Sequence, residues 1–340
     1  MIYAGYGNPM TGQQSELQYS AVNLIDHIEY AKADKIQRGK VRDSFVFGDK
    51  RAIVVTDRVS AFDHALGLIP NKGAILNTIT NWWFKKLDLI GVKHHYLDSP
   101  HPNIAIVQNI DIIPLEMVVR AFLTGSTTTS SWYAYNHLDR MICGVEMPEG
   151  MKKNQQFSDL LLTPTTKDPK HDEPISEKEI LESDILKPFA IKADTSVSEL
   201  WQRMKDTSIQ MFQFGQDITL ERGLILVDTK YEMGIDGSGN LMVADEVHTP
   251  DCSRYWINKT YKARFKSGEE PDALDKEFLR GMIIQAGYDI ESDKNPRDFM
   301  TDTIINEAAD KYQDLLWKIT REELRLTSED SIVAVLDSIR

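Results

Sequence analysis

The sequence is poor in cysteine: of 340 residues only Cys143 and Cys252 carry thiols. That excludes a disulfide framework and a four-cysteine zinc site. It also suits a reducing compartment, so a cytoplasmic setting is expected. No apolar run approaches the roughly 18–20 residues that a bilayer crossing needs, so no membrane association is expected. Residues Met1 to Gln14 lack a basic stretch followed by an apolar core, and no secretory signal is expected. Positive charge is in deficit, with 39 Lys and Arg against 52 Asp and Glu and a formal net charge of −13. This argues against nucleic-acid binding, which needs clustered cations against phosphate. A small anionic ligand in a local basic pocket remains compatible with it. The eight histidines show no metal-ligand spacing and are expected at the surface. Walker loops, dinucleotide fingerprints and nucleophile elbows are missing too.

What remains is an ordinary globular balance, 41% apolar and 27% charged. At about 150 residues per domain, the length suggests two domains or one domain with a large elaboration. Gly5, Gly7, Pro9 and Gly12 make the start loop-like. Val41 to Phe47 and Arg51 to Thr56, around Gly48-Asp49-Lys50, predict a β-hairpin. Ile75, Ile79, Trp82, Trp83 and Leu87 predict a helix over Gly73 to Leu89, with the tryptophans in its core face. Ile110 to Leu123 reads as a strand, or a pair interrupted at Pro114. Gly125 to Ser131 reads as a Ser/Thr-rich loop, and Lys167 to Pro174 as a charged, mobile surface loop. Ser196-x-x-Glu199 is a capping-box signature ahead of Val197, Leu200, Trp201 and Met204 at helical spacing. Leu224 to Thr229 and Leu241 to Val247, around the glycine-rich turn 234–240, predict a second hairpin. Ile304, Ile305, Ala308, Tyr312, Leu315, Leu316 and Ile319 mark a late amphipathic helix. The order is α+β rather than repeating βαβ.

Four groups could carry chemistry. Lys40 and Arg42 project to one face of a strand beside Gly39, with Val41 between them, and could hold a polyphosphate. A solvated strand edge is the plain alternative. Asp228, Lys230 and Glu232 share one strand face opposite Asp245-Glu246. Charges on a mostly apolar hairpin are costly unless that face looks into a site or into solvent. Carboxylates without His or Cys partners suit Mg²⁺, which prefers oxygen ligands and nucleotide phosphates. Ser253 and Arg254 follow Thr249-Pro-Asp-Cys, and Arg120 ends an apolar strand ahead of Thr124-Gly-Ser126. Both read as grips for phosphate or carboxylate, with structural ion pairs as the alternative. Cys252 stands two residues before Arg254. A nearby cation lowers a thiol pKa, so a reactive, ligand-protected thiol is weighed against a buried inert one.

Taken in order, these segments resemble the SAICAR synthetases (phosphoribosylaminoimidazole-succinocarboxamide synthases) of purine biosynthesis. The matching stretches are G-K-V-R-D at Gly39 to Asp43, T-D-R-V-S-A-F-D at Thr56 to Asp63, Lys72-Gly73, and V-V-R at Val118 to Arg120. They continue with L-T-G-S at Leu123 to Ser126, T-P-T-T-K at Thr163 to Lys167, H-D-E at His171 to Glu173, and G-L-I-L-V-D-T-K-Y-E-M-G at Gly223 to Gly234. D-E-V at Asp245 to Val247, T-P-D-x-S-R-Y-W at Thr249 to Trp256 and D-K-E-F at Asp275 to Phe278 complete the set. Three positions depart from the pattern: Ala121 after V-V-R, the run Thr127 to Ser130, and Cys252 before Ser-Arg.

The resemblance implies an α+β fold with a small hairpin-rich ATP-binding lobe and a larger α+β lobe, related to kinase and ATP-grasp architectures. It implies an N-terminal extension (1–33), the small lobe (34–115), the larger lobe with the substrate and metal site (116–288) and a C-terminal helical tail (289–340). Packing of that tail on the large lobe and a subunit contact both stay open, as does a homo-oligomer. The implied reaction joins L-aspartate to carboxyaminoimidazole ribotide (CAIR), with ATP cleaved to ADP and phosphate. Gly39, Lys40, Val41 and Arg42 would be the ATP phosphate loop, and Glu232 and Asp245 the Mg²⁺ and ATP-site acids. Arg120, Ser126, Ser253 and Arg254 would grip CAIR, and Asp228 and Lys230 would line the reacting centre with Lys40 and Arg42. The Thr56 to Asp63 segment, with Ser60 and Asp63, would form a substrate-side loop. An ATP-dependent phosphotransferase and a non-catalytic nucleotide-binding protein are the competing readings.

Overall fold

The computed structural model describes residues 24–62, 64–125, 127, 129–167, 172–290, 292–324 and 329–339. Two antiparallel sheets organise it. The first has five strands: β1 (Lys35–Arg38), β2 (Arg42–Phe47), β3 (Lys50–Val55), β6 (Tyr96–His101) and β7 (Ile104–Gln108), in the order β1-β2-β3-β7-β6. The early hairpin is its β2–β3 pair, closed by the turn at Gly48, where φ is +59°. A small ribbon, β4 (Arg58–Ala61) with β5 (His64–Leu68), follows β3. The short ribbon β9 (Met141–Ile142) with β10 (Val145–Glu146) stands apart.

The second sheet has six strands: β8 (Asp111–Leu123), β11 (Gln155–Leu162), β12 (Thr165–Thr166), β13 (Leu224–Ile235), β14 (Leu241–Ala244) and β15 (Ser253–Ile257). β8 and β13 form its spine. Of the two readings of this segment the single strand holds, and β8 runs unbroken through Pro114. Pro114 falls where the β8–β13 register shifts, between the pairs Glu232↔Glu116 and Gly234↔Ile112. A residue without an N–H is tolerated at such an irregularity.

Alternation along the spine separates two faces. Leu115, Met117, Val119 and Ala121 of β8 are buried, as are Val227, Tyr231 and Met233 of β13. The helix Val197–Glu221 packs there through Leu200, Trp201, Met204, Met211 and Phe212. Its capping box forms as expected. The Ser196 hydroxyl accepts from Glu199 N at 3.1 Å, and the Glu199 carboxylate accepts from Ser196 N at 3.1 Å. The departure Ala121 belongs to this core face and not to the charged one.

The helix Lys72–Leu87 buries Ile75, Ile79, Trp83, Phe84 and Leu87, and Trp82 is partly covered. It packs against the late helix Asp302–Thr320, whose buried side is the expected one: Ile304, Ala308, Tyr312, Leu315, Leu316 and Ile319. A separate cluster covers the other face of the five-stranded sheet. There Phe45, Ala52, Val54, Ile104 and Ile106 meet Ile332 and Leu336 of the helix Glu329–Ser338, and Ile25, Ile28 and Tyr30 of the N-terminal segment. That segment has no regular structure from Leu24 to Ala33, yet it is packed.

The histidines depart from expectation. His95, His101 and His248 are buried, and burial pushes His95 and His248 down to about 3. Two of them have a local ring partner. His101 accepts from Asn103 N at 3.0 Å, and His248 lies 2.5 Å from the Tyr231 hydroxyl.

Gly73 explains the Lys72-Gly73 motif. Its N–H donates to Asp57 Oδ1 at 2.9 Å, and an added Cβ would collide with the Val55 carbonyl and lie 2.7 Å from Asn103 Nδ2. Gly73→Ala is expected to cost about 1–3 kcal/mol, as overpacking does, read as a lower urea midpoint at unchanged m-value. A loss within error of zero would show that the start of this helix can shift freely.

Candidate active site

A cleft of about 840 Å³ opens between the two sheets. Its charged wall follows from strand register. Asp228 of β13 lies opposite Arg120 of β8 on one side and Arg254 of β15 on the other. Lys230 lies opposite Val118, and Glu232 opposite Glu116. A period of two then sends Asp228, Lys230 and Glu232 to the same face, as expected, and all three line the cleft.

Most of these groups are paired within the chain. Arg254 donates to Asp228 Oδ2 at 2.6 Å and to Glu277 at 3.2 Å, and Glu277 also pairs with Arg280. Arg120 is buried, donates to Thr163 Oγ1 at 2.7 Å and to the Thr129 carbonyl at 2.9 Å, and lies 3.8 Å from Asp228. It faces a smaller recess of about 170 Å³ shared with Asp228, Lys230 and Arg254. Lys230 bonds Glu116 at 2.5 Å, and Lys167 pairs with Glu232. Arg42 reaches Asp245 at 2.8 Å and Glu246 at 2.6 Å.

The acids differ in protonation tendency. Burial, with Asp245 adding repulsion, raises Glu232 above the usual carboxylate range. Burial alone would raise Asp245 too, but the Arg42 guanidinium together with Lys167 and Lys230 outweighs it and holds that carboxyl low. Burial pushes Asp275 up to about 7 and Lys276 down to about 8.

Gly39, Lys40, Val41 and Arg42 line the end of the cleft formed by the five-stranded sheet, with Ile53, Ile110 and Ile112 as apolar neighbours. Ser253 and Arg254 line the opposite end with Lys276 and Arg280. Ser60 and Phe62 line the cleft, but the earlier half of the Thr56 to Asp63 segment turns to the Gly39–Arg42 loop: Thr56 Oγ1 donates to the Val41 carbonyl at 2.9 Å. Ser126 and Asp63 lie outside the described residues, as does His171. Within the unusual run, Thr127 and Thr129 line the cleft and Ser130 caps the helix Ser131–His137.

The sequence reading missed several residues. Glu116 precedes Arg120 by four in an otherwise apolar strand, the same even spacing that exposed Asp228 to Glu232. Lys167 ends the T-P-T-T-K stretch and was expected on a surface loop; its ammonium instead enters the cleft, which Asp172 also lines. Asp251 pairs with the fully buried Lys72 at 2.7 Å and accepts from the Tyr312 hydroxyl at 3.0 Å. Lys276 and Arg280 lie four apart at the start of the helix Lys276–Gln285.

The reactive-thiol expectation is overturned. Cys252 is buried among Thr249 and Ser253, and burial pushes its thiol up to about 12. Burial also pushes Cys143 up to about 11. Native protein is therefore expected to resist iodoacetamide at pH 7.5, with both thiols labelled only after denaturation. Rapid native labelling of Cys252, read by mass spectrometry, would contradict this environment.

Comparison with known proteins agrees with the cleft. A family model described as SAICAR synthetase matches residues 35–295. A phosphoribosylaminoimidazole-succinocarboxamide synthase of Legionella pneumophila (strain Paris) is 44% identical over 246 residues, 72% of this chain and 75% of that protein. A synthase of the same name from Vigna aconitifolia, described as chloroplastic, is 45% identical over 243 residues, 72% of this chain and 68% of that protein. The solved SAICAR synthase of Saccharomyces cerevisiae, complexed with SAICAR, superimposes with a TM-score of 0.69 at 29% identity, covering 88% of this chain and 99% of that one. The chain belongs to the SAICAR synthetase family, the ATP-dependent carbon–nitrogen ligases of purine biosynthesis.

Proposed function

We propose that this cleft joins L-aspartate to CAIR, with ATP converting the CAIR carboxylate to an acyl phosphate. The observation that carries the reading is a pair of orphaned donors. Arg254 Nε and Arg280 Nε are buried with no hydrogen-bond partner among the described residues, and both residues line the cleft. A buried guanidinium nitrogen left unpaired is costly and calls for an anion. CAIR brings a phosphate and a carboxylate.

The opposite end suits the nucleotide. Val41, Ile53, Ile110 and Ile112 offer an apolar slot for a base, while Lys40, Arg42, Lys167 and Lys230 offer cations for phosphates. Among the described residues no group of three or more His, Cys, Asp or Glu side chains gathers into a metal cage. Mg²⁺ does not need one, because it is commonly held by one or two carboxylates together with substrate phosphates. Glu232 and Asp245 fit that role: both are oxygen donors, and their mutual repulsion is relieved by a cation. When bound there, Mg²⁺ would neutralise charge on the phosphates.

A carboxylate is a poor electrophile, since direct amine attack must expel oxide or hydroxide. Attack of a carboxylate oxygen on the γ-phosphorus releases ADP and leaves a mixed anhydride. The neutral aspartate amine then adds to the acyl carbon and phosphate departs with that oxygen, the amine giving up one proton and keeping the other as the amide N–H. Lys40, Arg42 and Lys230 would hold the transferring phosphoryl charge, and Arg120 and Arg254 would fix the acceptor in line. These small polar substrates fit the cytoplasmic setting expected from the sequence, and the reading needs neither nucleic acid nor a membrane. No helix among the described residues is long and apolar enough to cross a membrane.

ADP release should require CAIR and L-aspartate together; release with either alone would favour a phosphotransferase. CAIR carrying ¹⁸O in its carboxylate should yield singly labelled phosphate in step with amide formation. Unlabelled phosphate beside authentic product would exclude the acyl phosphate. Glu232→Gln and Asp245→Asn are each expected to lower kcat by about a hundredfold or more with the fold retained by circular dichroism. Near-normal turnover of either at limiting Mg²⁺ would remove that residue from the metal site.

A further inference from the structure

Residues 24–33 precede the stretch matched by the family model, yet they bond to the residues that shape the nucleotide end of the cleft. Ile25 and Asp57 exchange two bonds: Ile25 N donates to Asp57 Oδ2 at 2.9 Å, and Asp57 N donates to the Ile25 carbonyl at 2.7 Å. The Ile28 carbonyl accepts from Arg38 at 2.9 Å. His27 Nδ1 lies 2.7 Å from Arg58 Nη1. His27 Nδ1 also lies 3.2 Å from Asp43 Oδ2, but a guanidinium can only donate, so in the closer contact His27 Nδ1 accepts from Arg58.

Arg58 is the centre of this arrangement. It donates through Nε to the Lys40 carbonyl at 3.1 Å and through Nη2 to the Gly39 carbonyl at 3.1 Å. Nη2 also reaches Asp43 Oδ1 at 2.8 Å, and the fully buried Asp43 receives Arg38 Nη1 at 2.6 Å on its other oxygen. Fixing a carbonyl fixes its whole peptide plane. In a trans peptide the N–H points opposite to the C=O. Holding the carbonyls of Gly39 and Lys40 therefore aims the N–H groups of Lys40 and Val41 away from Arg58, and residues 39–41 line the cleft. Successive backbone N–H groups aimed at one side form an anion cradle.

We infer that Arg58 and Asp43 are positioning residues for the nucleotide loop, and that the segment 24–33 fastens them through His27. The inference deepens the proposed function and rests on its assignment of the nucleotide end. ATP use then depends on a piece of chain outside the matched core.

The test is calorimetric titration of the full chain with ADP, and separately with CAIR, for His27→Ala, His27→Asn and Arg58→Lys. Asparagine places an acceptor oxygen near the position of Nδ1, so it serves as the rescue. His27→Ala should weaken ADP binding about three- to tenfold, the range for one hydrogen bond, and leave CAIR binding unchanged. His27→Asn should return ADP affinity to within about twofold of the unaltered chain, since it restores that bond. Arg58→Lys keeps the charge but loses the fork, and should weaken ADP binding by about tenfold or more. In the coupled assay the KM for ATP should rise in His27→Ala while kcat holds. Unchanged ADP affinity in His27→Ala overturns the role of the segment, whatever Arg58→Lys does. Equal losses for ADP and CAIR, or no rescue by asparagine, overturn it as well. Failure of the unaltered chain to bind ADP would instead overturn the reading of the cleft on which the inference rests.

Discussion

Asp228 sits between two arginines on adjacent strands, and the charged wall of the cleft takes its register from that arrangement. The carboxylate and both guanidinium groups are largely out of water, where an unpaired charge costs several kcal/mol. Slipping β8 or β15 by one residue against β13 would strand these charges and turn their neighbours over. For β8, Met117 and Val119 would leave the core face as Glu116 and Val118 entered it. The positions of Lys230 and Glu232 are consequences of the same register, two and four residues further along β13.

A second constraint is electrical. The chain is strongly acidic, yet its cleft is furnished with cations, and several of them are already held by acids. Arg42 has Asp245 and Glu246, Lys167 has Glu232, Lys230 has Glu116, and Arg254 has Asp228 and Glu277. Binding of anionic substrates is therefore an exchange of partners rather than the filling of a bare positive pit. Under the proposed function the acids released would be Glu232 and Asp245, and a phosphate with its divalent cation would complement the site together. An exchange of this kind favours ligands that bring both charges over simple anions.

Much of this was legible in the sequence because it depends on spacing. Charges at even intervals in apolar strands place Asp228, Lys230 and Glu232, and the early hairpin, the capping box at Ser196 and the helical stripe from Ile304 to Ile319 follow from local rules. What escaped depends on distant partners. Pro114 left one strand or two open because a missing N–H is judged locally, whereas the ladder beside it is irregular. Cys252 looked reactive because Arg254 is close in sequence, but Arg254 turns to Asp228 and Glu277 and the thiol is buried. His95 and His248 looked external because their packing partners lie far along the chain. Lys167 looked like loop charge because Glu232 is 65 residues away. The packed segment 24–33 has no periodicity to reveal it, since its bonds run to individual side chains and not to a ladder.

The Tyr312 hydroxyl resting on Asp251 has a consequence in time. Asp251 lines the cleft and pairs with the buried Lys72 behind it, but Tyr312 lies on a helix that follows every strand of both sheets. During synthesis the sheets can pair while that helix is still to come, leaving the Lys72–Leu87 helix without its apolar cover and the buried ion pair without its hydroxyl. The helix Glu329–Ser338, which closes the far face of the five-stranded sheet, arrives later still. Assembly is thus vectorial: the strands that line the cleft are made before the two helices that cover their sheets and the Lys72–Leu87 helix.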